Sequence, residues 1–242
     1  MAANSLRNAI ITGASQGIGK AIALRLAKDG FRIALNDVPS KKEQLDSISD
    51  EIERRTGNKA CIAVADVTNE GQVEEMVGKA TTELGGIDVM VANAGVLHEN
   101  SKIVDMPADM WEKVFAVNAR GVFLCYKHAA RQMIAQGRGG RIIGAASVAS
   151  KRAGMEHGAY GASKFAVRGL TQAAAQELGQ YGITVNAYAP GNPMTEKFAS
   201  HAEALAPYGW STPTNYKFGE PEDVASLVSY LASKEAHYIT GK

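Results

Sequence analysis

The chain has 242 residues, of which 45% are hydrophobic and 21% are charged, and its formal net charge is +1. These values are typical of a globular protein with a sizeable core, and no basic stripe or acidic tail indicates a nucleic acid or a membrane surface as partner. No apolar run reaches the roughly 18 residues that cross a bilayer, and the polar start leaves no room for a signal-peptide core. Cys61 falls in a predicted strand and Cys125 in a predicted helix. The sequence therefore predicts a cytoplasmic protein with buried free thiols.

Short apolar runs alternate with longer amphipathic segments, and this alternation predicts a parallel sheet covered by helices. The predicted strands are Ala9–Thr12, Arg32–Asn36, Ala60–Val64, Val89–Ala92, Arg141–Gly144 and Thr184–Ala189. The predicted helices are Ile18–Asp29, Lys41–Arg55, Glu70–Leu84, Ala108–Gln136 with a break near Asn118, Ala159–Tyr181 and Pro221–Ser233. Parallel neighbours need right-handed crossovers. We expect an α/β fold, a doubly wound Rossmann-type sheet in a three-layer sandwich, as one domain over residues 1–242 with a variable substrate loop at 190–220.

A glycine-rich turn joins the first strand to the first helix, with the spacing G-x-x-x-G-x-G. The turn residues are Gly13, Ser15, Gln16, Gly17, Ile18 and Gly19. Glycines permit a tight turn and let backbone N–H groups and the helix N-terminus approach a pyrophosphate. The spacing differs from the commoner G-x-G-x-x-G. Taken alone, the turn leaves open a purely conformational role for its glycines.

Asp37 ends the second predicted strand, 18 residues after Gly19. An acid at this place can accept hydrogen bonds from the adenosine ribose hydroxyls. The same carboxylate would repel the 2′-phosphate of NADP, and Gln16 supplies no cation to offset that repulsion. The sequence therefore favours NAD over NADP. Alternatively, Asp37 is a solvated acid at a strand end with no role in cofactor binding.

Tyr160 and Lys164 lie four residues apart at the start of a predicted helix, on one face of it. An adjacent ammonium, assisted by an oxidised nicotinamide ring, would lower the tyrosine pKa from its usual value near 10 and make Tyr160 an acid or base. Ser147 follows a predicted strand, where its hydroxyl could bind a substrate oxygen. Asn118 could hold a water for a proton relay or cap a helical break. Alternatively, Tyr160 and Lys164 are an exposed pair on a helix without a catalytic role, and Ser147 is an ordinary loop serine.

These motifs together resemble the short-chain dehydrogenase/reductase family; they are Thr12–Gly19, Asn93–Gly95, Asn118, Ser147 and Tyr160-x-x-x-Lys164. Within that family, the runs Gly17–Gly30, Tyr160–Gln172 and Gly182–Asn186 are similar to diacetyl/acetoin reductases, also called 2,3-butanediol dehydrogenases. The resemblance implies that Tyr160 is the acid/base, that Lys164 binds the nicotinamide ribose, that Ser147 orients substrate and that Asn118 joins the relay. It also implies a homo-oligomer, a tetramer or a dimer.

The resemblance extends the cofactor set beyond the glycine turn and Asp37. It implies adenine contacts from Asp66 and Val67, bracing beside the cofactor by Asn93, Ala94 and Gly95, and nicotinamide contacts from Pro190, Gly191 and Thr195. The chain departs from the family pattern in two places. A few residues are missing after Gly191, where we expect a rearranged loop with the cofactor still bound. The chain stops at Lys242, where the family begins its last strand, so we expect a missing edge strand and an unpaired sheet edge.

The expected activity is that of an NAD-linked oxidoreductase that interconverts a ketone and a secondary alcohol, with a small diketone, hydroxyketone or diol as substrate. One alternative is a biosynthetic ketoreductase acting on a larger aromatic or polyketide carbonyl, which Tyr208, Trp210 and Tyr216 of the variable loop would suit. The other is a non-redox binder, lyase or cyclase on the same fold. No Cys/His cluster has the spacing of a metal site.

Overall fold

A computed structural model describes residues 7–191 and 219–242. Within them, six parallel strands form one sheet: β1 (Asn8–Thr12), β2 (Arg32–Asn36), β3 (Cys61–Ile62), β4 (Val89–Ala92), β5 (Gly140–Ala145) and β6 (Ile183–Tyr188). Their order is β3-β2-β1-β4-β5-β6, so the strand order reverses between β1 and β4. Doubly wound sheets bind ligands at the carboxyl ends of the strands beside such a reversal.

Seven α-helices connect and cover these strands in the described part of the chain: α1 (Gly17–Lys28), α2 (Lys42–Thr56), α3 (Glu70–Leu84), α4 (Ala108–Phe115), α5 (Val122–Gln136), α6 (Gly158–Leu178) and α7 (Pro221–Ala232). Each lies within a few residues of its predicted range. Asn69 caps α3 by accepting a hydrogen bond from the Gln72 N–H, and Pro221 occupies the first turn of α7, where its missing N–H costs no helical bond.

The two faces of the sheet bury separate cores, because successive side chains of a strand point to opposite faces. On β1, Ile10 packs into the core formed with α3, α5 and α6, whereas Ala9 and Ile11 pack into the core formed with α1, α2 and α7. The three-layer α/β sandwich predicted from the sequence is confirmed. Its organisation as a single domain stays a prediction.

The break predicted near Asn118 is a π-helical segment, Ala116–Gly121, between α4 and α5. Asn118 lies within it and is fully buried. Single π turns inside α-helices are rare and occur frequently at functional sites. The interruption is therefore confirmed, and it is a widened turn of a continuing helix.

The outer edge of β6 carries hydrogen bonds that the sequence did not predict. The Gly241 N–H donates to the Val185 carbonyl at 2.8 Å, and the Ala187 N–H donates to the Lys242 carbonyl at 2.6 Å. No seventh strand is present in the described residues, but the expected unpaired edge is wrong over this stretch because the last residues lie along it. No helix among residues 7–191 and 219–242 is long and apolar enough to span a membrane. Cys61 and Cys125 are buried free thiols, as predicted.

Candidate active site

A cleft with a cavity volume of about 1340 Å³ opens at the carboxyl ends of the strands. It brings together nearly the whole predicted site. The predicted residues that line it are Gly13, Ser15, Gln16, Gly17, Ile18, Gly19, Asp37, Asp66, Val67, Asn93, Ala94, Gly95, Ser147, Tyr160, Lys164, Pro190 and Gly191. Asn118 lies behind this surface, and Thr195 lies outside the described residues.

The glycine turn admits no side chain at two of its glycines. Gly13 has a φ of +64°, and a Cβ built on it would lie 2.9 Å from the Ala94 Cα. A Cβ on Gly19 would overlap the carbonyl oxygen of Gly13 and the side-chain amide of Asn93. The turn therefore packs backbone against backbone, which explains why its sequence requires glycine at these places.

A chain of partly buried hydrogen bonds ties this turn to β4 and β6. The Thr12 hydroxyl accepts from the N–H groups of Asn93 and Ala94, both at 3.0 Å. The Asn93 amide donates back to the Thr12 carbonyl at 2.8 Å, and the Tyr188 hydroxyl donates to Asn93 Oδ1 at 2.7 Å. Sequence reasoning missed Tyr188, which also lines the cleft. Nothing in its local pattern distinguishes it from a core strand residue.

The glycine-turn side of the cleft fits a dinucleotide phosphate. α1 begins at Gly17, its first turn carries no acidic residue, and Gln16 makes no side-chain capping bond. Gly17, Ile18 and Gly19 line the cleft at this helix N-terminus. Free N–H groups and the positive end of the helix dipole favour an anion here.

Asp37 stands at the mouth of the turn. Its carboxylate accepts hydrogen bonds from the Ser15 N–H at 3.1 Å and from the Val38 N–H at 2.9 Å, which fix its orientation. Lys41 lines the same part of the cleft and was missed by the sequence argument. Its position four residues after Asp37 was the available signal, but its reach toward the cleft depends on the short 3₁₀ turn of Pro39–Lys41.

Asp66 and Val67 also line the cleft. The Asp66 carboxylate accepts from both the N–H and the hydroxyl of Thr68, at 2.9 Å and 2.8 Å. Val67 is buried, and its side chain closely approaches Gly121 at the end of the π segment. A small apolar wall beside an acid is suited to one edge of a flat heterocycle.

Tyr160 and Ser147 meet on the other side of the cleft. Ser147 follows β5, and its Oγ accepts a hydrogen bond from the Ala149 N–H at 3.1 Å. Burial raises the pKa of the Tyr160 phenol, and its hydrogen bond with the Ser147 side chain lowers that pKa by less. In the chain by itself the pKa of Tyr160 is therefore shifted upward, opposite to the expected lowering, because desolvation disfavours the phenolate.

Lys164 is only 4% exposed and lies beneath Tyr160. Its Nζ donates to the Ala145 carbonyl at 2.8 Å and lies 5.5 Å from the centroid of the Tyr160 ring. A Cβ on Gly95 would lie 3.5 Å from this Nζ, so the bare backbone of Gly95 forms the opposite wall. The four-residue spacing does place the two side chains together.

Asn118 reaches this group through the neighbouring loop. Its Oδ1 accepts from the Val96 N–H at 2.8 Å, and its amide nitrogen donates to the Val96 carbonyl at 2.9 Å and to the Ser163 hydroxyl at 3.2 Å. Both amide hydrogens are therefore used within the protein. The side chain holds Val96 in place and keeps Gly95 beside Lys164.

The rim of the cleft carries further side chains that the sequence argument did not select. Lys113 and Arg152 line it with Leu97, Val148 and Met155, and His157 lies near Tyr160. The Val148 N–H donates to the Pro190 carbonyl at 2.9 Å, which brings the start of the variable loop beside Ser147. In residues 7–191 and 219–242, no group of three or more His, Cys, Asp or Glu side chains could hold a metal ion.

Comparison with known proteins agrees with this architecture. Residues 13–242 match a family model described as enoyl-(acyl carrier protein) reductase. A short-chain dehydrogenase/reductase of Armillaria gallica is 50% identical, over 98% of this chain and 92% of that one. The chain belongs to the short-chain dehydrogenase/reductase family. The family membership predicted from the motifs is thus confirmed.

Two other similar proteins bear on the reaction class. The (S)-acetoin-forming diacetyl reductase of Staphylococcus epidermidis is 40% identical over 98% of this chain and 95% of its own length. The crystal structure of a levodione reductase superposes with a TM-score of 0.90 at 32% identity, covering 97% of this chain and 93% of that one. The resemblance to diacetyl/acetoin reductases is confirmed. This short-chain dehydrogenase/reductase is an oxidoreductase of the class that interconverts ketones and secondary alcohols with NAD(P).

Proposed function

We propose that this short-chain dehydrogenase/reductase is an NAD-linked reductase of a small vicinal diketone or hydroxyketone, running in reverse on the corresponding diol. The observation that carries the proposal is that Ser147, Tyr160 and Lys164 line one cleft with the glycine turn and Asp37. The similarity to a diacetyl reductase supports the substrate class.

In the proposed complex the glycine turn and the α1 N-terminus hold the dinucleotide phosphates, and Asp37 holds the adenosine ribose. Asp66 and Val67 border the adenine. Asn93, Ala94 and Gly95 brace the central sheet beside the cofactor. The proposed nicotinamide contacts are Pro190, Gly191 and Thr195, of which Thr195 lies outside the described residues. When bound, the nicotinamide supplies or accepts the hydride, and its oxidised ring adds the positive charge that favours a phenolate.

The chain's own residues then handle one proton. In reduction, Ser147 Oγ–H donates a hydrogen bond to the substrate carbonyl oxygen, and Tyr160 Oη gives its proton to that oxygen as the carbonyl becomes an alcohol. In oxidation the same proton returns to Tyr160. The raised pKa of Tyr160 keeps the phenol protonated near neutrality, which favours reduction.

Lys164 and Asn118 have proposed roles around this transfer. Lys164 binds the nicotinamide ribose and places a positive charge under the phenol ring, 5.5 Å from its centroid. Asn118 positions Val96 and Gly95, since its amide hydrogens are both donated within the protein. Its membership of the proton relay stays a prediction.

An absorbance assay at the reduced-nicotinamide band tests the proposal, with NADH or NADPH and with diacetyl or acetoin. We expect NADH oxidation with diacetyl, lost by at least about 10²-fold in Tyr160→Phe because the proton donor is gone. The control is Tyr181→Phe, since Tyr181 is 45% exposed beyond the end of α6. Equal activity in wild type and Tyr160→Phe would contradict the mechanism.

The choice of NAD over NADP rests on Asp37. Asp37→Ser should raise the ratio of kcat/KM with NADPH to that with NADH by at least about tenfold, because one carboxylate no longer opposes the 2′-phosphate. Adding Lys41→Gln should reverse part of this gain, because Lys41 lines the same region. Asp50→Ser, on the exposed face of α2, is the control. An unchanged ratio in Asp37→Ser would overturn the assignment.

The second candidate substrate is a larger aromatic or polyketide carbonyl. Leu97, Val148 and Met155 give the rim a large apolar surface, with Met155 89% exposed. Turnover of a bicyclic aromatic ketone, together with silence toward diacetyl, would favour this candidate.

We further propose a cytoplasmic homo-oligomer, a dimer or a tetramer. Phe123 on α5 and Phe165 on α6 are 45% and 43% exposed, and such exposed aromatics favour a protein contact. The two buried free thiols suit a reducing compartment. Light scattering coupled to size-exclusion chromatography measures the assembly, and a monomer at micromolar concentration would contradict it.

A further inference from the structure

A second cavity lies at the amino ends of the strands, whereas the cleft lies at their carboxyl ends. We call it the amino-edge cavity; its volume is about 550 Å³, and its charged lining residues are Arg7, Asp88, Arg138, Arg141 and Lys234. This volume falls within the range of small-molecule sites, about 300–1,000 Å³. Nothing in the dehydrogenase chemistry uses it.

The charge of the amino-edge cavity is unbalanced. Four cations surround one carboxylate, Asp88, and that carboxylate is already engaged. Arg138 Nε donates to Asp88 Oδ1 at 2.8 Å, and the Asn8 N–H donates to Asp88 Oδ2 at 2.9 Å. Within residues 7–191 and 219–242, no carboxylate pairs with Arg7, Arg141 or Lys234. The six residues before Arg7 contain no acid either.

Two of these cations are held in place by the fold. Arg7 Nη1 donates to the Ala232 carbonyl at 2.8 Å, at the C-terminus of α7, and its guanidinium lies 5.8 Å from the centroid of the Phe31 ring. The Arg141 backbone N–H donates to the Asp88 carbonyl at 2.8 Å. Its Nη1 reaches only the Gly140 carbonyl, at 3.0 Å. These contacts orient the two guanidinium groups, and neither group has an anionic partner among the described residues.

The Arg141 guanidinium lies in an unfavourable environment beside the amino-edge cavity. Its Nε is buried and has no hydrogen-bond partner among the described residues. Partial burial and the positive charge of Arg7 both lower the pKa of Arg141. A buried donor without an acceptor is destabilising, and so is a like charge beside it. An oxyanion between Arg7 and Arg141 would offset the repulsion between these like charges.

We propose that the amino-edge cavity is a binding site for a small molecule bearing a phosphate or a carboxylate group. Arg141 would bind the oxyanion through its terminal Nη groups, since a guanidinium can present two N–H donors to such a group at once. Arg7 and Lys234 would add charge from either side. The proposal is independent of the reaction and of the dinucleotide, which binds at the other edge of the sheet.

Calorimetric titration at constant ionic strength tests the proposal, with inorganic phosphate and citrate as separate probes. The holoenzyme is kept saturated with NADH, so that the dinucleotide phosphate site is filled and cannot account for the binding. We expect phosphate or citrate to bind, with Kd raised about tenfold or more in Arg141→Gln and by a smaller factor in Lys234→Gln. Whichever probe binds more tightly identifies the oxyanion class.

Arg131→Gln is the matched control, because Arg131 is an exposed cation of α5 outside the cavity lining. Lys234→Gln protects the test against misfolding, since Lys234 is exposed at the surface. The proposal is overturned if neither probe binds, if NADH abolishes the binding, or if Arg131→Gln weakens it as much as the cavity variants do.

Discussion

The cleft has two halves that offer a ligand different kinds of atoms. The glycine-turn half presents backbone: a turn closed to side chains at Gly13 and Gly19, and the open N-terminus of α1. The tyrosine half presents side chains: Ser147, Tyr160 and Lys164, each oriented by a contact from another element. We therefore expect added side-chain atoms to disrupt the glycine-turn half. In the tyrosine half we expect the loss of a functional group to matter more than a change of side-chain shape.

The largest effect should come from removing the buried cation of the tyrosine half. Lys164→Met keeps an unbranched side chain and removes the ammonium, so we expect kcat/KM to fall about 10³-fold. Lys127→Met is the control, because Lys127 pairs with Glu70 at the surface of α5 and should change activity less than about twofold. A Lys164→Met enzyme with near wild-type turnover would show that the tyrosine half does not depend on charge.

Glycine variants should show the complementary behaviour of the other half. A Cβ at Gly19 would overlap the Gly13 carbonyl, so Gly19→Ala should weaken NADH binding about 100-fold and lower the free energy of unfolding by about 1–3 kcal/mol. Gly169→Ala, in α6 with open space around it, should instead raise that free energy by about 0.5–1 kcal/mol. Fluorescence titration and chemical denaturation measure both. Equal effects of the two variants would refute the backbone character of this half.

The pH dependence should distinguish the two directions of the reaction. Because burial raises the pKa of Tyr160, the phenol carries its proton at neutral pH. Alcohol oxidation needs the phenolate, so its rate should rise about tenfold per pH unit until the pKa is reached, while carbonyl reduction stays level and falls only at higher pH. Ser147→Ala removes the hydrogen bond that lowers this pKa, so its oxidation limb should move to higher pH. If the oxidation rate of Ser147→Ala instead rises at lower pH than that of the wild type, the assignment of Tyr160 as the titrating acid/base is contradicted.

The smallest effect should come from the bond that joins the halves. Tyr188→Phe removes the hydrogen bond from β6 to Asn93 Oδ1, so the free energy of unfolding should fall by about 1 kcal/mol. KM for NADH should rise more than kcat falls, because Asn93 braces the glycine turn. Tyr230→Phe, at an exposed position of α7, is the control. If Tyr188→Phe lowers kcat and leaves the KM for NADH unchanged, Tyr188 supports only the tyrosine half of the cleft.

The sequence predicted the parts of this molecule that depend on local pattern. Strand and helix positions follow from hydrophobic period, and β2, β4 and α3 have the predicted bounds. β3 is shorter than predicted, Cys61–Ile62 against Ala60–Val64, although Ala63 and Ala65 still bond along β2 and its extension. The glycine turn and the tyrosine–lysine pair were found because their spacing is fixed within one turn or one helix.

What the sequence could not supply are contacts between distant segments. The bonds of Tyr188 to Asn93 and of Asn118 to Val96 join residues 95 and 22 positions apart. The upward shift of the Tyr160 pKa depends on burial, which no spacing reveals. The amino-edge cavity was invisible for the same reason, since its cations come from three separate segments.

The π segment between α4 and α5 has a consequence for the phase of the helix surface. A π turn holds one residue more than an α turn, and each α-helical residue advances the surface by about 100°. The row of side chains along one face of α4 is therefore rotated about the helix axis relative to that of α5, although the π segment joins the two without a break. Deleting a single residue from Ala116–Gly121 would realign the rows into a regular helix and turn Asn118 away from Val96. The extra residue of the π turn therefore sets the orientation of Asn118 and, through its contact with Val96, the position of the loop beside Lys164.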